Sequence, residues 1–342
     1  MRIGHLPLGL LLIVSLCLPP LGSAAEEEVN VYSARKENLI KPLLDRFTEE
    51  TGIQVNLVTG KADALLKRLQ SEGKNSPADL LITTDAGRLH RAKASGVTQA
   101  TRLPGDDERM AGMFRDPEGH WYGLSLRARP ILYVRDKVDP AELSTYEALA
   151  DPHWKKRICI RSSDNIYNQS LVASMIAADG SEKVEAWAKG FVGNFARPPR
   201  GGDRDQIKAA AAGVCDIAIA NTYYFAAMID SKDQAQRAAA AKLRVFWPDQ
   251  AGRGTHVNIS GAAVTHSARN RDNAIRLIMF LLNDESQQWY ADINGEYPVR
   301  PDIPVNPTLE GWGNFRMDTL NLDRLGELNP DAVRLMDRAG WK

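Results

Sequence analysis

The first part of the chain alternates short apolar runs with amphipathic segments. The runs at 29–32, 53–58 and 80–82 are rich in β-branched and aliphatic residues, as strands are. Between them, the segments 39–47 and 65–69 place leucines on one helical face, which predicts two helices. A succession of strand, helix, strand, helix and strand favours a doubly wound α/β unit whose sheet is mostly parallel.

A second succession of the same kind follows a change of pattern at residues 121–134. There, two arginines and Pro130 lead into an apolar run. Because proline sits most easily at the start or edge of a strand, this segment predicts a crossover between two lobes. The apolar run at 257–265 predicts a strand that returns to the first lobe. The second lobe is predicted to contain a strand and three helices, at 154–160, 167–178, 180–195 and 204–212.

These patterns predict a two-lobed α/β protein with a ligand cleft between the lobes. Each lobe is expected to hold a doubly wound, mostly parallel sheet with its binding loops at the carboxyl ends of the strands. The first lobe is predicted to comprise residues 26–126 and 254–302, and the second lobe residues 127–253 and 303–342.

The N-terminus has the pattern of a secretory signal. Arg2 precedes an apolar run from Leu8 to Leu18, and the small residues 22–25 follow. The run is too short to span a bilayer, so residues 1–25 are predicted to be a cleaved signal peptide. The 43 basic and 43 acidic residues balance, which gives no global field for nucleic acid or a membrane surface. We therefore expect a soluble exported protein.

Cysteine usage leaves two thiols in the exported chain. Cys17 lies within the predicted signal peptide, and a leucine precedes it where a lipidation site needs a small residue. Cys159 and Cys215 lie in or just before apolar, strand-like runs, which predicts buried and inert thiols. An oxidising compartment leaves a disulfide between them as the alternative.

Three tyrosines lie at turns where ligands bind in α/β sheets. Tyr223 and Tyr224 follow the apolar run 217–220 and precede a predicted helix, and Tyr167 opens the helix after the polar segment 162–165. Adjacent residues on a helix diverge by about 100°, so a Tyr-Tyr pair often divides between core and surface. The functional alternative is that all three phenols converge. Three phenolates would then neutralise a hard trication such as Fe(III).

Other chemistry finds little support in the sequence. The chain has no Gly-x-Ser-x-Gly elbow, no P-loop and no dinucleotide glycine pattern. Its six histidines are scattered singly, without a pair at the spacing of zinc ligands. An exported enzyme on this fold is therefore disfavoured. A binding protein for an anion or a small organic solute is the main alternative, because helix N-termini and aromatic residues suit such ligands.

Six segments of the chain together carry a resemblance to a known family. They are Tyr32-Ser33-Ala34-Arg35, Ser76-Pro77-Ala78-Asp79, Ser125-Leu126-Arg127-Ala128-Arg129, 161–170, Asn221-Thr222-Tyr223-Tyr224 and Ser260-Gly261-Ala262-Ala263-Val264. Together they resemble the bacterial periplasmic ferric-binding proteins. The resemblance covers nearly the whole exported chain in order, which makes it far more specific than any one segment. It implies the type II periplasmic-binding-protein fold and the role of substrate-binding component in an iron(III) ABC importer.

The resemblance also implies a ligand set. Tyr223 and Tyr224 match the paired ferric ligands of the family, and Tyr167 matches the third tyrosine of its tyrosine-rich subgroup. Arg127 is implied to lie beside the metal, where it holds a synergistic anion such as carbonate or stabilises phenolate charge. Arg35 occupies a turn that helps to bind that anion in some members.

The chain departs from the family pattern in the first lobe. Lys36 and Glu37 stand where many members have His, His-Tyr or Gln, so a ligand from this turn is missing. Glu37 is the alternative carboxylate ligand. Thr84 stands where some members have a glutamate ligand, although Asp85 is adjacent. We therefore expect three tyrosines and an anion held by arginines.

The resulting hypothesis is a monomeric periplasmic protein that closes over one Fe(III) and passes it to an inner-membrane ABC permease. Hinge closure of two lobes on a ligand suits this role. The protein is expected to catalyse no reaction.

Overall fold

The computed structural model describes Met1 and residues 27–105 and 110–342, so the predicted signal peptide lies outside the described residues except for Met1. Within this described part of the chain, no helix combines the length and apolar character needed to cross a membrane. The described residues form ten strands: β1 (Glu28–Ser33), β2 (Gln54–Thr59), β3 (Leu80–Thr84), β4 (Tyr122–Ala128), β5 (Ile131–Val134), β6 (Ile158–Cys159), β7 (Ile217–Ile219), β8 (Leu243–Phe246), β9 (Val257–Val264) and β10 (Tyr297–Pro298).

Helices connect and cover these strands. In chain order they are α1 (Glu37–Thr51), α2 (Ala62–Glu72), α3 (Ala86–Ala94), α4 (Ile166–Asp179), α5 (Ser181–Gly193), α6 (Asp203–Ala211), α7 (Thr222–Ile229), α8 (Gln234–Ala241), α9 (Arg271–Leu281), α10 (Asp284–Asp292), α11 (Pro307–Glu310), α12 (Asp323–Glu327) and α13 (Asn329–Arg338).

The strands form two sheets, which confirms the two-lobed α/β prediction. One sheet has six strands in the order β10, β4, β9, β3, β1, β2, and the other has four in the order β6, β7, β5, β8. Strand β1 lies within the first sheet, and its Val29 and Val31 are fully buried. The apolar face of α1, with Ile40, Leu43 and Phe47, belongs to the same core.

The prediction of mostly parallel sheets is corrected. Among the strands named above, parallel pairing is confined to β1 with β2 and β3, and to β6 with β7. The remaining named pairs are antiparallel. The physical reason is the path of the chain. The chain leaves the six-stranded sheet along β4 and returns to it along β9 in the opposite direction. Because β4 and β9 are neighbours in the sheet, their pairing is antiparallel.

The chain crosses between the sheets over two residues. Strand β4 stays paired with β9 as far as Ala128, and β5 begins at Ile131, so Arg129 and Pro130 make the crossing. Arg127, which the sequence assigned to the second lobe, therefore lies on a strand of the six-stranded sheet. In the C-terminal segment, α12 packs against both α3 and α4.

A disulfide joins Cys159 to Cys215, with their Cα atoms 5.9 Å apart. The prediction of inert free thiols is wrong, although both residues are buried as expected. The reason is the pairing of β6 with β7, which places Cys159 opposite Ala218 and brings two distant cysteines together. The bond links β6 to the segment just before β7, and these two strands lead to the tyrosine turns.

Asp85 connects the six-stranded lobe to α4. It caps α3 with a positive φ of 82°, an unusual conformation for a residue other than glycine. Its buried carboxylate accepts hydrogen bonds from the Ser170 hydroxyl at 2.7 Å and from the Asn258 side chain at 3.0 Å. Helix α4, which carries Tyr167, is therefore bound directly to the start of α3.

Candidate metal centre

The three predicted tyrosines meet in one cleft. The hydroxyl of Tyr223 donates to that of Tyr167 across 3.2 Å. The rings of Tyr223 and Tyr224 lie 4.2 Å apart between centroids, at 35° to each other. All three side chains are half-buried and line the same cavity of about 380 Å³. The arrangement places three phenol groups around one volume.

The first turn of α7 explains how adjacent tyrosines can face one cleft. Neither Tyr223 nor Tyr224 enters the core, because Phe225 and Met228 occupy the buried side of the helix. Thr222 fixes the start of the helix, since its hydroxyl accepts a hydrogen bond from the Ala128 amide at 3.3 Å. The tyrosine pair is thus bound to the crossing between the sheets.

Asp203 holds the turns that carry the tyrosines. Its buried carboxylate accepts from Arg129 at 3.1 Å and from Arg161 at 2.7 Å. The same carboxylate accepts from the backbone amide of Asn221 at 3.0 Å. Arg129 also donates to Asn168 at 2.6 Å, one residue beyond Tyr167. This network sets the positions of both tyrosine turns before any ligand arrives.

Burial keeps the tyrosine pair protonated. Desolvation is the main cause that raises the pKa of Tyr224 to about 12, and Tyr167 adds to it. Desolvation likewise raises the pKa of Tyr223 well above its usual range, while the Arg127 guanidinium opposes that rise. A ligand that takes up these phenols as phenolates must supply strong positive charge.

Arg127 lies behind the tyrosines and has incomplete hydrogen bonding. Only 2 % of the residue is exposed, and its Cζ lies 5.8 Å from the ring centroid of Tyr167. One terminal nitrogen donates to the Ser260 hydroxyl at 3.0 Å, while Nε and Nη2 have no partner. A buried guanidinium in this state offers charge and two free donors to the tyrosine side of the cleft.

Arg35 lines the cleft but already has an acidic partner. Its Nη2 lies 2.7 Å from Glu296 in a buried ion pair. Glu296 also accepts from the Ser125 hydroxyl at 2.8 Å. The pair neutralises most of the charge that Arg35 would offer to an anion.

The structure does not bring Glu37 into the cleft. Glu37 is exposed and opens α1, where a carboxylate favours the positive end of the helix. Lys36 and Thr84 do line the cleft. The neighbouring Asp85 carboxylate is buried and bound by Ser170 and Asn258, as described above.

Arg204 is a cleft residue that the sequence reasoning missed. It lines the cavity from α6, and its Cζ lies 5.5 Å from the ring centroid of Tyr224. Its Nε is buried without a hydrogen-bond partner. No local signal in the sequence distinguished it, because the helix that carries it follows another helix rather than a strand.

Groups of three or more His, Cys, Asp or Glu that could hold a metal do not occur among residues 27–105 and 110–342. The donor set in the cleft is phenolic. Phenolate oxygen suits a hard, highly charged cation rather than a borderline metal such as zinc.

Comparison with known proteins shows the family. The model for bacterial extracellular solute-binding proteins matches residues 75–318. The chain belongs to this family. It is 50 % identical over 317 residues to iron uptake protein A1 of Synechocystis, an alignment that covers 93 % of this chain and 88 % of that protein.

Solved structures agree with the sequence relatives. The structure of Trichodesmium IdiA, also called FutA, in complex with iron and citrate ligands superposes with a TM-score of 0.90 at 48 % identity, covering 92 % of this chain and 100 % of the other. The ferric binding protein from Campylobacter jejuni gives a TM-score of 0.87 at 37 % identity, covering 92 % and 100 %. These comparisons confirm the resemblance inferred from the six segments. The relatives are named for iron uptake and iron binding, not for a reaction.

Proposed function

We propose that this chain is a periplasmic ferric-iron-binding protein that serves iron uptake. The observation that carries the proposal is the convergence of Tyr167, Tyr223 and Tyr224 on one cleft, with two of their hydroxyls 3.2 Å apart. The names of the relatives support the same function, since they describe iron uptake and ferric binding.

Iron is held as Fe(III) by three tyrosinates. Each phenol loses its proton as it binds, and three phenolates cancel the three charges of the ion. Arg127 stabilises the phenolate charge from behind Tyr167, a role that its buried and partly unpartnered guanidinium supports.

A synergistic anion completes the coordination, and we propose carbonate for this role. The resemblance assigned this anion to Arg127 and Arg35. Arg127 keeps two free donors for it, whereas Arg35 contributes less because Glu296 neutralises it. One relative was solved with iron and citrate together, which supports an anion beside the metal.

The bound ion is delivered to an inner-membrane ABC permease. This role is supported by membership of a solute-binding family. It is also supported by the arrangement of two lobes around one cleft, since such lobes close on a ligand by hinge motion. The protein is proposed to act as a monomer.

The visible spectrum tests the proposal. Purified protein that holds one Fe(III) should be coloured by charge transfer from phenolate to iron. Replacing Tyr223 and Tyr224 together with Phe should abolish the band. Tyr133→Phe should leave it unchanged, because Tyr133 lies on β5 and does not line the cleft. Colourless protein that retains stoichiometric iron would contradict tyrosinate ligation.

A further inference from the structure

A second cavity, the β8 cavity, lies on the four-stranded lobe and shares no lining residue with the tyrosine cleft. Strand β8, at the edge of its sheet, borders it together with α7, α8 and the segment from α11 to Trp312. Its volume is about 510 Å³, compared with about 380 Å³ for the cleft. Cavities of roughly 300–1,000 Å³ hold whole organic ligands. The β8 cavity is therefore large enough for a ligand of its own.

The interior surface of the β8 cavity is apolar. Phe225, Ala240 and Leu243 line it, and each is at most 2 % exposed. Ile229 and Val245 add half-buried aliphatic surface from α7 and β8. A ligand with an apolar body would bind here favourably, because it removes this surface from water.

Trp312 forms one wall of the β8 cavity and is held by contacts with other elements. Its ring stacks on that of Phe225, with the centroids 5.6 Å apart and the planes at 22°. Its backbone carbonyl accepts a hydrogen bond from the Trp247 indole at 3.0 Å. The Thr308 hydroxyl donates to the Asp230 carboxylate at 3.0 Å, which joins α11 to the end of α7. These contacts form the cavity before any ligand arrives.

Two arginines place positive charge at the mouth of the β8 cavity. Arg237 and Arg244 line it and are exposed, and no acidic residue is among its described lining residues. Each guanidinium donates through Nη1 to two backbone carbonyls. Within the described part of the chain, neither forms an ion pair with a carboxylate. Their remaining donors suit a planar carboxylate, which a guanidinium binds through two parallel hydrogen bonds.

We propose that the β8 cavity binds a single-chain aliphatic carboxylate. The chain lies against Phe225 and Leu243, and the carboxylate lies at Arg237 and Arg244. An aliphatic chain is favoured over an aromatic body because the two aromatic rings of the lining already stack on each other. The site is separate from the metal centre and does not depend on the function proposed for it.

Dodecanoate is the probe that tests this site. The chain from residue 26 onward is titrated with sodium dodecanoate below its micelle concentration, and binding is measured by calorimetry. Wild-type protein should bind one dodecanoate. Dodecyltrimethylammonium has the same chain with a positive head group, so it should bind at least roughly tenfold more weakly, as expected when charge-assisted hydrogen bonds are lost.

Variants locate the binding in the β8 cavity. Arg237→Gln combined with Arg244→Gln should weaken dodecanoate binding by roughly tenfold or more. Ala241→Phe should prevent it, because Ala241 is exposed at the end of α8 and its new ring would occupy the cavity rather than the core. Arg135→Gln is the matched control, since Arg135 is exposed in the same lobe but does not line the cavity. It should behave as wild type.

The outcomes decide between occupants of the cavity. Absence of dodecanoate binding, equal affinity for dodecyltrimethylammonium, or unchanged binding by folded Ala241→Phe would overturn the proposal. Binding of phosphatidylglycerol vesicles without binding of dodecanoate would overturn it in favour of a membrane surface. Dimerisation that Ala241→Phe abolishes would overturn it in favour of a second copy of this chain.

Discussion

The hydroxyl of Tyr223 donates a hydrogen bond to the hydroxyl of Tyr167, although 56 residues separate them in the chain. Both tyrosines lie in the first turn of a helix, and these two helices follow the neighbouring parallel strands β7 and β6. The two hydroxyl oxygens are therefore close enough to coordinate one metal ion. The relationship makes Tyr167 the most informative single position in the centre.

Replacing Tyr167 with Phe should weaken iron binding while leaving the fold intact. The change removes one proposed anionic ligand and the hydrogen bond to Tyr223, but Phe fills the same half-buried space. We expect the affinity for Fe(III) to fall by at least roughly tenfold, as for a lost charge-assisted contact. The charge-transfer band should also shift. Iron titration against a competing chelator measures the loss, and unchanged affinity would remove Tyr167 from the ligand set.

Asp203→Asn should destabilise the protein strongly. The change leaves Arg129 and Arg161 without their shared carboxylate, and Arg129 is only 1 % exposed. Breaking a buried ion pair from one side costs about 3–5 kcal/mol. Denaturant unfolding measures the loss. Asp205→Asn, on the same helix, should cost only about 1 kcal/mol because it alters a helix cap; equal losses would contradict the role assigned to the network.

Asp249→Asn should stabilise the protein at neutral pH but not in acid. Burial and the Glu147 carboxylate raise the pKa of Asp249 to about 6, compared with about 3.9 in an unfolded chain. At pH values between these two pKa values, the Asp249 carboxyl is protonated in the folded protein and ionised in the unfolded chain. The free energy of unfolding therefore falls as pH rises toward 6.

The variant should therefore be more stable than wild type at pH 7 to 8, and the gain should shrink toward pH 4. Asp249 has a φ of 62°, which Asn also adopts readily, so the backbone effect is small. Thermal or urea unfolding at a series of pH values measures the difference. The exposed Asp45→Asn is the control, and a gain that does not vary with pH would point to another cause.

Removing the disulfide should lower stability without removing any of the proposed iron ligands. Cys159 and Cys215 are 56 residues apart, and closing a loop of that length is worth about 4 kcal/mol in the chain-entropy treatment. We expect the double change to Ala to reduce the free energy of unfolding by about that amount. Either single change should lose nearly as much, since each breaks the same bond. Single variants that unfold like wild type would show that the bond does not form.

The sequence predicted the parts of the site that depend on local pattern. Apolar runs followed by turn residues located β6 and β7, and the rule for strand ends placed Tyr167 and Tyr223 together. The pairing of Arg35 with Glu296 could not be predicted, because 261 residues separate them and neither has a distinctive local pattern.

Other errors have similar physical causes. The strand predicted over 154–160 shrinks to Ile158–Cys159, because Pro152–Trp154 forms a 3₁₀ turn capped by Asp151. Antiparallel pairing of β4 with β9 depends on how the chain crosses between the lobes, which periodicity does not encode. Arg204 escaped notice because an arginine at a helix start has no signature until its neighbours are known.

The hydrogen bond from Ser170 to Asp85 has a consequence for how the cleft can open. Moving α3 away from α4 would remove the Ser170 hydroxyl from the buried Asp85 carboxylate. It would also disturb the backbone of Asp85, which has a φ of 82°. A rotation that passes close to Asp85 avoids both penalties. The two lobes then rotate apart about an axis near Asp85, and the largest displacement falls on the residues farthest from that axis.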